Sequence, residues 1–160
     1  MGSPTTPVFT GNLPVSSGTY YSAGSISSGA LQGNWSQGNG VTTKLVIFIN
    51  GDLTIDRNIT IDPASGFVAF FVKGKITIAS NIGNNSTAIP QINNSTVEGI
   101  YLANGTIDTS IGSNGHERFV GRGMFIADAD LNGKEMDGTT DSPGFNLQRT
   151  LGANNAFYAA

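Results

Sequence analysis

Residues 128 to 138 read Asp-Ala-Asp-Leu-Asn-Gly-Lys-Glu-Met-Asp-Gly, with Asp128, Asp130 and Asn132 at alternate positions and Gly133 directly after them. Hard oxygen ligands at that spacing, followed by a glycine that permits a tight turn, form the first half of an EF-hand-type calcium loop. The second half departs from the pattern. Position twelve is Thr139, no Glu closes the loop, and Asp137 or Asp141 is left to complete the set. One expectation is therefore a Ca2+ ion held by Asp128, Asp130, Asn132 and Asp137, and the other is a solvated acidic turn.

His116, in Ser-Asn-Gly-His-Glu-Arg-Phe, is the single histidine, and its Asn- and Gly-rich setting places it on an exposed loop. Cysteine is absent, which excludes disulfides, thiolate metal sites and a cysteine nucleophile. Enzymes that cleave polysaccharides group carboxylates, often with a basic residue, along one face. Here the candidates are Asp52, Asp56, Asp108 and Asp128 with Arg57, Lys73, Lys75 and Arg122. Acids alternate with alanine at the equivalent positions Asp56, Ala79, Asp108 and Ala127, so they do not cluster, and no catalytic residue is assigned.

Asn-x-Ser/Thr triplets begin at Asn34, Asn58, Asn84, Asn85, Asn93, Asn94 and Asn104. Asn84, Asn85, Asn93 and Asn94 sit in one polar stretch and are the candidates for glycosylation. Tyr20, Tyr21 and Trp35 lie close together in a Gly/Ser-rich stretch, where they suit either sugar stacking or the capping of a core. A formal charge of -3 leaves no basic stripe for phosphates, which argues against nucleic acid as a partner and against polybasic membrane attachment. No run approaches the roughly 18 apolar residues of a membrane helix.

These side chains need a scaffold, and a repeated phrase supplies it. Phe48-Ile49-Asn50-Gly51-Asp52-Leu53-Thr54-Ile55 returns as Phe71-Val72-Lys73-Gly74-Lys75-Ile76-Thr77-Ile78 and as Ile100-Tyr101-Leu102-Ala103-Asn104-Gly105-Thr106-Ile107. Phe119 to Ile126 keeps the apolar frame, and the steps between copies are 23, 29 and 19 residues. Repetition at a period in the twenties marks a solenoid. Each copy ends in strand-like alternation and bends at a central glycine, so it reads as two short strands around a corner. Stacked copies place Ile55, Ile78, Ile107 and Ile126 in one inward column, and Ile59, Ile82 and Ile111 in another. Asn58, Asn81 and Ser110 would stand beside the second column as a ladder of turn side chains. Thr54, Thr77 and Thr106 would form an outward ladder.

The predicted fold class is all-β, a right-handed parallel β-helix with irregular coils of about 19–29 residues, the hand following the rule for parallel crossovers. The phrase resembles the coils of secreted or surface-exposed bacterial single-stranded right-handed parallel β-helix proteins, and Gly121-Arg122-Gly123-Met124-Phe125-Ile126 with the later Phe145-Asn146-Leu147-Gln148-Arg149 is similar to their terminal coils. That resemblance implies fold and an extracellular or cell-surface location, and it carries no catalytic residue with it.

The expected organisation is an extended arm over 1–17 with Val8, Phe9, Leu13 and Val15 as its apolar contacts, then one β-helix domain over 18–160. Within that domain the clear repeats cover 45–126, a corner loop is inserted at 81–98, and 140–160 forms a cap. An apolar arm with nothing local to pair with adds a strand to its own coil or to a neighbour's. The expected function is thus a non-enzymatic structural or assembly protein, a surface scaffold or filament subunit that forms homo-oligomers. A glycan-binding, adhesin-like module is the alternative, and a polysaccharide lyase or glycosidase a more distant one.

Overall fold

The computed structural model describes residues 6–38, 40–83, 96–109, 119–127 and 145–146. In β2 (Lys44–Ile49), Leu45, Ile47 and Ile49 are buried while Val46 and Phe48 alternate with them, the period of two that a strand with one inner face requires. Four further strands run parallel to it: β1 (Gly18–Ser22), β4 (Phe67–Val72), β6 (Val97–Ala103) and β8 (Gly121–Ala127). Together they form a five-stranded sheet in the order β1-β2-β4-β6-β8. The short strands β3 (Leu53–Ile55), β5 (Ile76–Ile78), β7 (Ile107–Asp108) and β9 (Phe145–Asn146) form a second, four-stranded parallel sheet. The chain is a β-solenoid of about four turns.

The corners between the two sheets take three residues each, with Gly51, Gly74 and Gly105 at their centres. Gly74 N donates to Gly51 O at 2.9 Å and Gly105 N to Gly74 O at 3.0 Å, so the corners stack backbone on backbone. A Cβ on Gly51 would lie 2.6 Å from Ser25 N, and one on Gly74 would meet the Asp52 carboxylate. Close approach is the reason for glycine here.

The core is an aliphatic and aromatic pile. Phe70 stacks on Tyr101 with ring centroids 5.4 Å apart, and Tyr101 on Phe125 at 5.0 Å, an inward column shared by three coils. Phe9 and Trp35 close its lower end, each edge-on or tilted against Phe70 at 6.3 and 6.0 Å. Trp35 is buried, so of its two expected uses the core is the one observed.

Residues 7–13 run along the first coil of the same chain. Phe9 N donates to Tyr21 O, Tyr21 N to Pro7 O, Leu13 N to Gln32 O and Gln32 N to Gly11 O, at 2.8 to 3.0 Å. Phe9 is buried and Leu13 packs on the core, while Val8 and Val15 face solvent. Of the arm's two expected partners, its own coil is the one observed, and Phe9 joins the solenoid's core.

Register differs from expectation in the third and fourth coils. Ile107 pairs with Ile76, not with Ile78, and Asp108 pairs with Thr77, so the inward column runs Leu53, Ile76, Ile107 and the threonine ladder ends at Thr77. A slip of two residues leaves every side chain on its original face, so alternation alone cannot reveal it. Gly121–Ala127 belongs to the long sheet, with Ile126 opposite Leu102 and facing outward. Ile59 bridges to Val97, although Ile59 and Ile82 are both inside as expected. Asn81 donates its amide to the Asp56 carbonyl at 3.3 Å, so it builds no ladder with Asn58. The inserted loop is shorter than 81–98, since Val97 and Glu98 are part of β6.

Candidate interaction surface

On the long sheet, the residues between the buried ones form the outer face. Strand register sets Tyr21, Phe48, Phe71, Leu102 and Ile126 side by side in one row across all five strands. Phe48 and Phe71 stack with centroids 5.0 Å apart, and Tyr21, Phe48 and Ile126 are each about 40% exposed, at 40%, 41% and 42%. A second row, Thr19, Val46, Ala69, Ile100 and Met124, runs beside it, about 7 Å away along the strands. Its middle is small and low: Ala69 is 2% exposed although it faces outward. Met124, at the end of the same row, is 51% exposed, so the row is low at Ala69 alone.

Seven large apolar side chains are exposed among the described residues, and Tyr21, Phe48, Phe67, Met124 and Ile126 of them lie on this one face. A contiguous apolar patch of that kind marks a place of contact, unlike singly scattered hydrophobics. Exposed polar groups border it: Lys44 at the start of the strands, Asn50 and Lys73 at their end. Between the Phe48 and Phe71 row and the Asn50 and Lys73 side runs a shallow groove along the solenoid axis. The rings of Phe48 and Phe71 stack on each other, and Phe48 remains 41% exposed.

Two of the acids weighed for carbohydrate chemistry, Asp52 and Asp56, serve the corners. Asp52 Oδ1 accepts from Lys75 N at 3.0 Å, and its own N–H donates to Ser25 Oγ at 2.9 Å. Asp56 Oδ2 accepts from Ser28 Oγ at 3.1 Å and from Gly29 N. These bonds tie each coil to the next. Asp52→Ala is expected to lower the urea midpoint by the equivalent of about 1 kcal/mol, the worth of one such hydrogen bond, which equilibrium unfolding would measure.

One charged residue escaped the sequence reading. Glu98 is 5% exposed, and it joins three segments: Oε1 contacts Arg122 Nη2 at 2.8 Å, and Oε2 accepts from Ile61 N at 2.7 Å. Tyr101 Oη donates to the Glu98 carbonyl at 2.8 Å. Burial, and next the Glu98 charge, push the Tyr101 phenol far above its usual range. The signal available beforehand was an acid directly beside a strand of apolar residues, Val97-Glu98-Gly99-Ile100-Tyr101.

The proposed calcium ligands Asp128, Asp130, Asn132 and Asp137, the sequons at Asn84, Asn85, Asn93 and Asn94, and His116 lie outside the described residues. Among the described residues no group of three or more His, Cys, Asp or Glu is placed to hold a metal. No helix among them is long and apolar enough to cross a membrane. Comparison with family models, curated proteins and solved structures returned no match.

Proposed function

We propose that this chain is a non-enzymatic structural protein of the exported, cell-surface kind, a scaffold or filament subunit that assembles through the outer face of its long sheet. The observation that carries this reading is the unbroken apolar row from Tyr21 through Phe48, Phe71 and Leu102 to Ile126. A row of side chains held at strand spacing is rigid before contact, so little conformational entropy is lost when it is covered. Polar corners surround it and keep the contact directional. The arm over residues 7–13 is engaged with its own coil, so lateral contact through the sheet replaces strand exchange as the route to assembly.

Light scattering after size exclusion tests this directly. The unaltered chain should show a mass that rises with concentration, and the double variant Phe48→Asp/Phe71→Asp should stay at monomer mass while keeping its β-type circular dichroism. A chain that remains monomeric to its highest soluble concentration would sink the proposal.

A further inference from the structure

We infer that Asn50-Gly51 is a site of spontaneous covalent modification, at which the asparagine side chain closes on the next backbone nitrogen and is converted to aspartate or isoaspartate. Two of the three stacked corners carry the dipeptide this chemistry needs, Asn50-Gly51 and Asn104-Gly105, and both asparagines are exposed. Glycine in second place leaves no side chain to hinder the approach. The nucleophile is the glycine nitrogen itself. A hydrogen bond that holds its proton also holds it away from the asparagine side chain, so the pairing of that one N–H separates a reactive corner from a protected one.

The stack treats the two nitrogens differently. Gly105 N donates to Gly74 O at 3.0 Å, as Gly74 N does to Gly51 O at 2.9 Å. Gly51 N has no acceptor among the described residues. The cause lies one coil below. Register places Gly24 under Gly51, but the Gly24 carbonyl accepts from Ser22 Oγ at 2.9 Å, and Ser25 Oγ accepts the N–H of Asp52 at 2.9 Å. The lowest corner thus turns its acceptors to the neighbours of Gly51 and leaves that nitrogen to water. Asn50 is fixed by its backbone, whose N–H donates to Ser22 O at 2.9 Å. Its side-chain amide reaches only the Ala23 carbonyl, at 3.5 Å, the outer limit for such a bond, so it is free to turn toward Gly51.

Attack within one corner has the advantage of proximity. The Gly51 nitrogen loses its proton to solvent and bonds to Asn50 Cγ; the Cγ–Nδ2 bond breaks, and the amide nitrogen takes up a proton and leaves as ammonia. The resulting five-membered succinimide adds one water. Opening at Cγ gives aspartate, and opening at the main-chain carbonyl carbon gives isoaspartate, whose backbone is one methylene longer. One water is consumed and one ammonia released, with no oxidant or reductant. Either product places a carboxylate beside Lys73, which holds the same corner position one coil above, and adds one negative charge at the border of the outer face.

The test incubates the folded chain at mildly alkaline pH in water enriched in heavy oxygen, which labels each residue converted before digestion. Asn50 is read by mass spectrometry in the tryptic peptide 45–57, and Asn104 by fragmentation of 76–118. Conversion at Asn50 should run several-fold ahead of Asn104, rise with pH, and yield isoaspartate together with aspartate. In urea, where no corner hydrogen bond survives, the two sites should convert at similar rates. Equal conversion at both asparagines in the folded chain would overturn the assignment. So would aspartate at Asn50 without isoaspartate, or an Asn50 that stays an amide when folded yet converts in urea.

Discussion

Phe70→Ala is expected to lower the stability of the solenoid by about 3–5 kcal/mol, the range for a large aromatic removed from a packed core. Phe70 has no solvent exposure and meets Phe9, Trp35 and Tyr101, so its ring joins the first coil to the third. Each of those neighbours is held by the hydrogen bonds of its own rung, and none can move far to fill the space. In a solenoid, stability is close to a sum of contacts between successive coils, so a cavity at one level weakens both interfaces around it. Equilibrium urea unfolding followed by tryptophan fluorescence reports the change at Trp35, beside the cavity. The control is Phe71→Ala, one residue along and facing outward, which should cost less than half as much because water already reaches that ring. Equal costs at the two positions would contradict the inward assignment of Phe70.

Glu98→Ala should cost about 2–4 kcal/mol, and Glu98→Gln clearly less. Alanine leaves the Ile61 N–H without its acceptor and Arg122 without its charge partner, and an orphaned buried donor loses its full solvation. Glutamine keeps an oxygen for Ile61 and gives up only the ionic part of the contact with Arg122, whose side chain is 47% exposed and partly served by water. Thermal unfolding should therefore rank the unaltered chain above Glu98→Gln, and Glu98→Gln above Glu98→Ala. Hydrogen exchange should locate the effect: amides of β8, which Arg122 ties to β6, should exchange sooner than those of β2. Uniform acceleration across all strands would mean that Glu98 supports the whole stack and not the β6–β8 pair in particular.

The parts of this protein that were legible in the sequence are those set within a single strand or a single turn. Leu53-Thr54-Ile55 and Ile76-Thr77-Ile78 announce short strands by alternation, Gly51 and Gly74 announce corners, and their repetition at a period in the twenties announces parallel coils. Burial of Leu53, Ile55, Ile76 and Ile78 follows, because aliphatic side chains on alternate positions have one face to give to a core. The paired Phe48 and Phe71 were visible as the opening residue of two copies, yet their outward direction was not. A glycine corner breaks the alternation, so the inside of one strand cannot be counted across to the next.

What depended on the folded chain is where strands lie relative to those above and below. The third coil adds 31 residues from Ala69 to Ile100, and Ile107 settles over Ile76 because backbone bonds such as Ile76 N to Thr106 O close there. A shift of two residues satisfies the same hydrophobic pattern, so only those long-range bonds distinguish the registers. Glu98 meeting Ile61, and five apolar side chains from Tyr21 to Ile126 meeting in one row, are consequences of that register. Alternation is a property of a few neighbouring residues, whereas a surface assembled from five coils exists only once the lengths of all the intervening corners have been resolved in space.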